Sequence, residues 1–301
     1  MTPLPTPGPT SGPTPGPAAR PPRPPAALRM TPGRWLALAI GVPVALALIG
    51  WTGFSLVSTL GQASFPVNAT IPLEHGRLTA HMNGADINLR PGRAENGQAR
   101  LTGTAHYSLI RPHLAVHGGN LNFDCRIPTG DCGLDAKLAV PPRTVVSLAT
   151  GGGNMQVSGL QSSVTLNSGG GDVTVSGPEG PVTVDTGGGN LTAGDLSGTL
   201  RFSTGGGDVN GNGLFAPTVT TDSGGGNVTL AFTRPPAKLD VTSGGGDITI
   251  LLPPGGTEYA ITDRPGGGDY SRADTVRINS ASANKITVDS GGGNIRIATA
   301  G

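Results

Sequence analysis

Hydrophobic and polar residues alternate in one repeated pattern over residues 146–297. Each repeat contains three glycines followed by Asn or Asp, which we count as position zero. Aliphatic residues predominate at positions −8, −6, +1 and +3, whereas Thr, Ser and Gln predominate at −7 and +2. In one repeat the aliphatic residues are Val182, Val184, Leu191 and Ala193. Alternation with a period of two is typical of half-buried strands. Each repeat therefore predicts two short strands joined by a glycine-rich corner.

The glycine triplet recurs at a nearly constant spacing. It begins at Gly151, Gly169, Gly187, Gly205, Gly224, Gly244, Gly266 and Gly291. A fixed period of this length is the signature of a solenoid, in which stacked repeats close one continuous core. Residues 83–301 therefore predict an all-β domain, a single-stranded parallel β-solenoid (β-helix). Two degenerate copies, Asn83-Gly84-Ala85-Asp86 and His117-Gly118-Gly119-Asn120, extend the repeat upstream.

Position zero alternates between amide and carboxylate side chains. The column consists of Asn154, Asp172, Asn190, Asp208, Asn227, Asp247 and Asn294. Two stacked carboxylates about 4.8 Å apart would repel by roughly 3.5 kcal/mol at a dielectric constant of 20. Alternation doubles that separation and lets an amide donate to each carboxylate, so we interpret the column as a structural ladder.

Two further features of the corner have a structural explanation. The glycines are expected to allow positive φ and a close approach of neighbouring coils. Ser or Thr at position −4 is expected to hydrogen-bond the corner backbone.

The irregular stretch 251–285 interrupts the columns and is expected to fold back as a lid over the coil that contains Ile297.

The repeated Ser/Thr-Gly-Gly-Gly-Asp/Asn-Val/Ile-x-Val/Ile motif carries a family resemblance. It resembles the bacterial β-strand-repeat family described as adhesins of unknown function, and is similar to the head domains of auto-transporter adhesins. The resemblance covers residues 66–301 and implies a β-solenoid at the cell envelope, with a role in adhesion or the envelope-stress response. It supplies no catalytic residues.

The segment before the repeats predicts a membrane anchor. Residues 35–60 contain no charged residue and are long enough for a transmembrane α-helix. Residues 1–34 contain twelve prolines and predict a disordered tail. The four arginines of this tail place it in the cytoplasm by the positive-inside rule. Residues 61–82 are then a linker and N-terminal cap. A cleaved signal peptide is the alternative, although its apolar region is usually only 7–15 residues long.

The two cysteines, Cys125 and Cys132, predict a disulfide. Outside the membrane, two cysteines this close in sequence favour a covalent bond. Their spacing departs from the C-x-x-C pattern of redox pairs.

Composition and motifs argue against several classes of function. With 51 Gly, 28 Pro and only 13% charged residues, a helix-rich enzyme is not expected. A net charge of +1 gives no indication of nucleic-acid binding. Calcium-binding nonapeptide repeats require G-G-x-G-x-D, whereas here the Asp or Asn directly follows the third glycine, so only weak peripheral Ca²⁺ binding stays open. No catalytic, metal or cofactor site is predicted, and no cofactor.

The sequence thus predicts a single-pass cell-membrane protein whose β-solenoid lies outside the cytoplasm. We expect a non-enzymatic adhesion, interaction or envelope-stress scaffold module, with a cell-wall glycan or an envelope protein as candidate partners. The alternative is a carbohydrate-active β-helix enzyme, resembling a polysaccharide lyase or hydrolase, that uses the face-exposed carboxylates Asp172, Asp185, Asp208 and Asp222. A third hypothesis, an ice- or surface-binding solenoid, is weakened by Arg201 and Arg296, which interrupt its threonine rows.

Overall fold

The computed structural model of this protein is all-β. It describes residues 63–92, 97–108, 111–125 and 132–300. The expected Pro-rich tail and transmembrane segment lie outside these residues. Within the described ranges, no helix has the length and apolar character needed to cross a membrane.

The described residues form 24 strands. They are β1 (Ala63–Pro72), β2 (Arg77–Met82), β3 (Ala85–Pro91), β4 (Gln98–Tyr107), β5 (His113–His117), β6 (Asn120–Asp124), β7 (Cys132–Val140), β8 (Val145–Thr150), β9 (Met155–Ser158), β10 (Val164–Ser168), β11 (Val173–Ser176), β12 (Val182–Thr186), β13 (Leu191–Gly194), β14 (Leu200–Thr204), β15 (Val209–Leu214), β16 (Thr218–Ser223), β17 (Val228–Phe232), β18 (Lys238–Ser243), β19 (Ile248–Leu252), β20 (Glu258–Arg264), β21 (Tyr270–Arg272), β22 (Arg277–Ile278), β23 (Lys285–Ser290) and β24 (Ile295–Thr299).

These strands build two mostly parallel sheets of twelve strands each. Sheet A has the order β1-β4-β7-β3-β9-β11-β13-β15-β17-β19-β24-β21, and sheet B has the order β22-β20-β23-β18-β16-β14-β12-β10-β8-β2-β6-β5. From β8 to β19 the chain alternates between the sheets, so each repeat contributes one strand to each. We call such a strand pair with its corner a coil. This winding is consistent with a β-solenoid.

The coils stack in register because like residues lie on like residues. Val182 in β12 lies opposite Val164 of β10 on one side and Leu200 of β14 on the other. All three side chains are 0–1% exposed, and they belong to one hydrophobic core that runs through the described stack. Burying such aliphatic side chains is the main stabilising contribution that each coil receives from its neighbours.

The three glycines of a corner have different surroundings. A Cβ added to the third glycine, Gly171, would lie 2.1 Å from the carbonyl oxygen of Gly153 in the preceding coil, whereas one on the second glycine, Gly170, would meet nothing within 4 Å. Close approach of the coils therefore requires glycine, as expected. The expectation of positive φ is wrong for most corners, since among the described glycine triplets only Gly266 has a positive φ.

A hydroxyl group at position −4 closes every corner that carries Ser or Thr there. The Oγ of Ser168 accepts a hydrogen bond from the backbone N–H of Gly171 at 2.9 Å and donates to its carbonyl at 3.0 Å. The equivalent Ser223 and Ser290 make the same two bonds. The predicted bonding of these hydroxyls to the corner backbone is confirmed.

Of the two degenerate upstream motifs, one forms a coil corner and the other does not. Asn83-Gly84-Ala85-Asp86 joins β2 to β3, which pair in parallel with β8 and β9. At His117-Gly118-Gly119-Asn120 the expected corner is wrong: these residues form the turn of the antiparallel β5–β6 hairpin. Both of its glycines have positive φ, which suits a tight hairpin turn.

The expected linker and cap, residues 61–82, contribute strands to both sheets. β2 lies inside sheet B between β8 and β6, and β1 forms the edge of sheet A, antiparallel to β4. Outside the β2–β3 coil, β6 and β7 make one further coil, because they run parallel to β2 and β3. Antiparallel strands β4, β1 and β5 complete this end.

The segment between β19 and β23 folds back over the other end of the stack. β23 and β24 pair directly with β18 and β19, and β20 and β21 then pair with the outer sides of β23 and β24. Arg272 of β21 lies opposite Ile297 of β24. The expected lid over this coil is confirmed.

Candidate interaction surface

The residues at position zero form a continuous hydrogen-bonded column along the outside of the corner. The backbone N–H of Asp172 donates to Oδ1 of Asn154 at 2.9 Å, and the N–H of Asn190 donates to Oδ1 of Asp172 at 2.8 Å. The same bond links the remaining members to Asp208, Asn227, Asp247 and Asn294, at 2.7–3.0 Å. Each side chain therefore holds the backbone of the next coil.

In space the alternation of acid and amide is unbroken over nine coils. The order along the stack is Asp86, Asn154, Asp172, Asn190, Asp208, Asn227, Asp247, Asn294 and Asp269. The amide Nδ2 of Asn190 also donates to Asp172, and that of Asn294 to Asp247, both at 3.2 Å. The alternation separates the carboxylates by two strand spacings, about 9.6 Å.

A second acidic column at position −5 runs on the other side of the glycine corner; two of its members, Asp185 and Asp222, were singled out from the sequence, but not as a column. Its outward-facing members are in register through Asp185, Ser203, Asp222, Thr242 and Asp289. From the Asn167/Asp172 coil onwards, a coil with Asp at −5 has Asn at zero, and a coil with Asp at zero has no acid at −5. At the folded-back end Arg264 occupies −5 and lies 3.7 Å from Asp289.

The alternation of acid and amide at position zero does not continue beyond β3 into the end of sheet A formed by β7, β4 and β1. Asp135 of β7 lies directly opposite Asp86 of β3, so two carboxylates are neighbours across adjacent strands. The free side of Asp135 faces β4, where Nε2 of His106 lies 3.3 Å from its Oδ2. Departures from a rule that the rest of a fold obeys are expected at functional sites. We therefore take this pair as the starting point of the candidate site.

The Asp86–Asp135 pair lies in a broad groove on the outer face of sheet A. The groove has a volume of about 860 Å³ and crosses β1, β4, β7, β3, β9 and β11. Its polar lining includes Asn68, Asn88, Thr102, Lys137, Gln156 and Asp172. Such outward side chains offer hydrogen-bond donors and acceptors in rows set by the strands. The surface can therefore bind an extended, hydroxyl- or amide-rich ligand.

Three of the four carboxylates named for the enzymatic alternative lie outside this groove. Asp185 and Asp222 face outward from sheet B, and Asp208 belongs to β14–β15, beyond the strands that line the groove. Asp172 is the member that lines it. No local sequence pattern links Asp86 to Asp135, because only the pairing of β3 with β7 brings them together.

The two cysteines are joined across the corner of the outermost coil. Cys125 follows β6 and Cys132 begins β7, with Cα atoms 6.1 Å apart in a disulfide. In the neighbouring β2–β3 coil only Asn83 and Gly84 separate the strands. The disulfide thus closes a longer connection at the coil that carries Asp135.

Comparisons with known proteins give structural similarities only. No family model and no curated protein sequence matches the chain. The chain is similar to the crystal structure of a "putative adhesin" from Bacteroides fragilis, with 14% identity and a TM-score of 0.46, covering 78% of this chain and 97% of that one. It is also similar to the crystal structure of a "putative cell adhesion protein" from Clostridium sporogenes, with 13% identity and a TM-score of 0.28, covering 78% and 100% of the two chains. At these values neither similarity decides a ligand or an activity.

Proposed function

We propose that this protein is a membrane-anchored β-solenoid that acts outside the cytoplasm as a non-enzymatic adhesion or interaction module. The observation that carries the proposal is the polar groove at the Asp86–Asp135 pair, where the regular ladder is interrupted. Its ligand is an envelope component such as a cell-wall glycan or an envelope protein. The parallel coils act as a rigid support, because every interior strand is hydrogen-bonded on both sides.

The proposed location rests on two features. The Cys125–Cys132 disulfide favours an oxidising compartment. The uncharged segment 35–60 is long enough to span a membrane. Full-length protein is expected in the membrane fraction, with the repeat region open to protease added from outside. A soluble product that begins near Ser64 would instead reveal a cleaved signal peptide.

The binding role is tested by filling the groove. Gln156 of β9 points outward into it, and Thr249 of β19 occupies the same row on the same face, remote from the groove. We expect full-length Gln156→Trp protein to lose retention on isolated cell envelopes, whereas Thr249→Trp protein is retained like the wild type. Equal retention of both variants and the wild type would rule out the groove as the binding surface.

A second function is favoured by one observation, the juxtaposed carboxylates. A pair about 5 Å apart is the separation used by retaining glycosidases, and Asp86 and Asp135 are neighbours on adjacent strands. A carbohydrate-active enzyme would release reducing ends from a polysaccharide and lose that activity in Asp135→Asn. Binding without release of reducing ends from any polysaccharide of a panel favours the interaction module.

A further inference from the structure

A compact basic cluster adjoins the acidic part of the groove. Arg90 of β3 and Arg100 of β4 both lie opposite Ala139 of the central strand β7, one on each side. Lys137 precedes Ala139 by two residues and therefore projects from the same face, about 6.6 Å along the strand. Alanine leaves the space between the two guanidinium groups open.

These three cations line a second cavity of about 340 Å³. The cavity shares Asn88, Thr102 and Lys137 with the larger groove, so the two are continuous. All three cations are exposed, and within the described residues none of them forms a salt bridge. No carboxylate lines this smaller cavity. The combined groove is therefore acidic at the Asp86–Asp135 end and basic at the Arg90–Arg100 end, with Lys137 between Asn88 and Thr102 in its middle.

We propose that this combined groove binds a glycan that carries an isolated acidic sugar, an inference that rests on the proposed interaction role. The carboxylate of the acidic sugar is held by Arg90, Arg100 and Lys137 through charge-assisted hydrogen bonds. Neighbouring neutral sugars donate their hydroxyl groups to Asp86 and Asp135 and exchange hydrogen bonds with the amide side chains between the two ends.

Charge complementarity also gives the groove a selectivity. A glycan with a carboxylate on every sugar would place negative charge against the Asp86–Asp135 pair. Juxtaposed like charges exclude such ligands even though the basic cluster attracts them. The groove therefore selects sparsely charged chains over uniform polyanions.

The surroundings of the groove favour a glycan over the other anionic ligands. No aromatic side chain lines either cavity, so nucleic-acid bases have no stacking platform there. A membrane lipid needs an apolar surface beside its headgroup. Among the described residues, the one large hydrophobic side chain that is strongly exposed is Ile278. It lies in β22, the edge strand of sheet B at the opposite end from β6 and β5.

The test compares three oligosaccharides on the full-length protein by titration calorimetry. They are glucuronosyl-xylotriose with a single carboxylate, neutral xylotetraose and hexagalacturonate. We expect glucuronosyl-xylotriose to bind about tenfold or more tightly than either of the others, since each charge-assisted contact contributes on that scale. The preference should shrink as salt is raised.

Variants assign the preference to named residues. The double variant Arg90→Gln/Arg100→Gln should bind glucuronosyl-xylotriose no better than xylotetraose. Arg296→Gln is the matched control, because Arg296 is exposed on the same face of sheet A but far from the groove. Asp135→Asn should improve hexagalacturonate binding by about tenfold, because it removes a repulsive charge.

The outcomes separate the ligand class from the interaction role. Equal binding of the acidic and neutral probes overturns the proposed ligand, as does an unchanged preference in the double variant. Tightest binding of hexagalacturonate, or of anionic lipid vesicles run in parallel, overturns it as well. If Gln156→Trp still abolishes retention on envelopes in those cases, the groove is an interaction site for another ligand; if it does not, both proposals fail.

Discussion

The backbone N–H of Asp269 donates a hydrogen bond to Oδ1 of Asn294 at 2.9 Å, although Asp269 comes 25 residues earlier in the chain. The bond extends the ladder to the folded-back coil and keeps acid next to amide. In chain order the column ends Asp247, Asp269, Asn294, which would put two acids side by side. The inserted segment thus occupies the position in the stack that its charge permits.

The corner glycines should differ in tolerance within a single triplet. In Gly171→Ala the new methyl group meets the carbonyl of Gly153, and we expect a loss of about 3 kcal/mol in the free energy of unfolding. Gly170→Ala is the matched control, since its methyl group faces open space. It should be neutral or stabilise by about 0.5 kcal/mol through the unfolded state. Urea denaturation measures both, and similar losses in the two variants would contradict the proposed clash.

The ladder should not tolerate a change of sign. Asn190→Asp places three carboxylates in successive coils and removes the amide donor to Asp172. We expect the free energy of unfolding to fall by about 2 kcal/mol, because the new carboxylate is repelled by two exposed carboxylates in the neighbouring coils. The loss should be smaller in high salt. The control is Asn210→Asp, whose neighbours in sheet A are Thr192 and Thr229. Thermal unfolding of both variants is measured at two salt concentrations. Equal stability of Asn190→Asp and Asn210→Asp would contradict repulsion within the ladder.

Deleting coils should depend on whether their number is odd or even. Removal of residues 173–190 brings Asp172 against Asp208, whereas removal of 173–208 brings it against Asn227. We expect the longer deletion to melt at the higher temperature although it removes more core. The reverse order in calorimetry would mean that core size outweighs the ladder.

The folded-back segment should prevent the end of the stack from pairing with another molecule. Deleting 263–277 removes β21 and uncovers the outer side of β24, whose N–H and C=O groups on that side then lack a partner strand. We expect the protein to shift to higher mass in light scattering. Asp274→Ala, which leaves β21 in place, is the control. An unchanged mass at high concentration would show that another feature protects this edge.

The disulfide should stabilise the outermost coil. Alkylation of the non-reduced protein should label neither Cys125 nor Cys132. The double Ser variant should lose about 2 kcal/mol, the typical effect of closing a short loop. Labelling of both thiols without a reductant would contradict the pairing.

The strands, their inward columns and the corner hydroxyls could be predicted because each coil repeats the same local pattern. The order of the coils could not. β18 pairs with β23 rather than with β20, and that choice depends on long-range backbone pairing for which no local residue is a signal. The same holds for His117-Gly118-Gly119-Asn120, where a glycine pair typical of a corner makes a hairpin turn. The Asp86–Asp135 pair was missed for this reason, since β3 and β7 are far apart in sequence.

The open side of each second glycine has a practical consequence. Gly170, Gly188, Gly206, Gly225 and Gly245 each face empty space in successive coils. None has positive φ, so a cysteine can be placed at any of them without strain. Probes attached there would be spaced in steps of about 4.8 Å. The protein thus provides a built-in molecular ruler, against which the distance from a bound ligand or a membrane surface can be read.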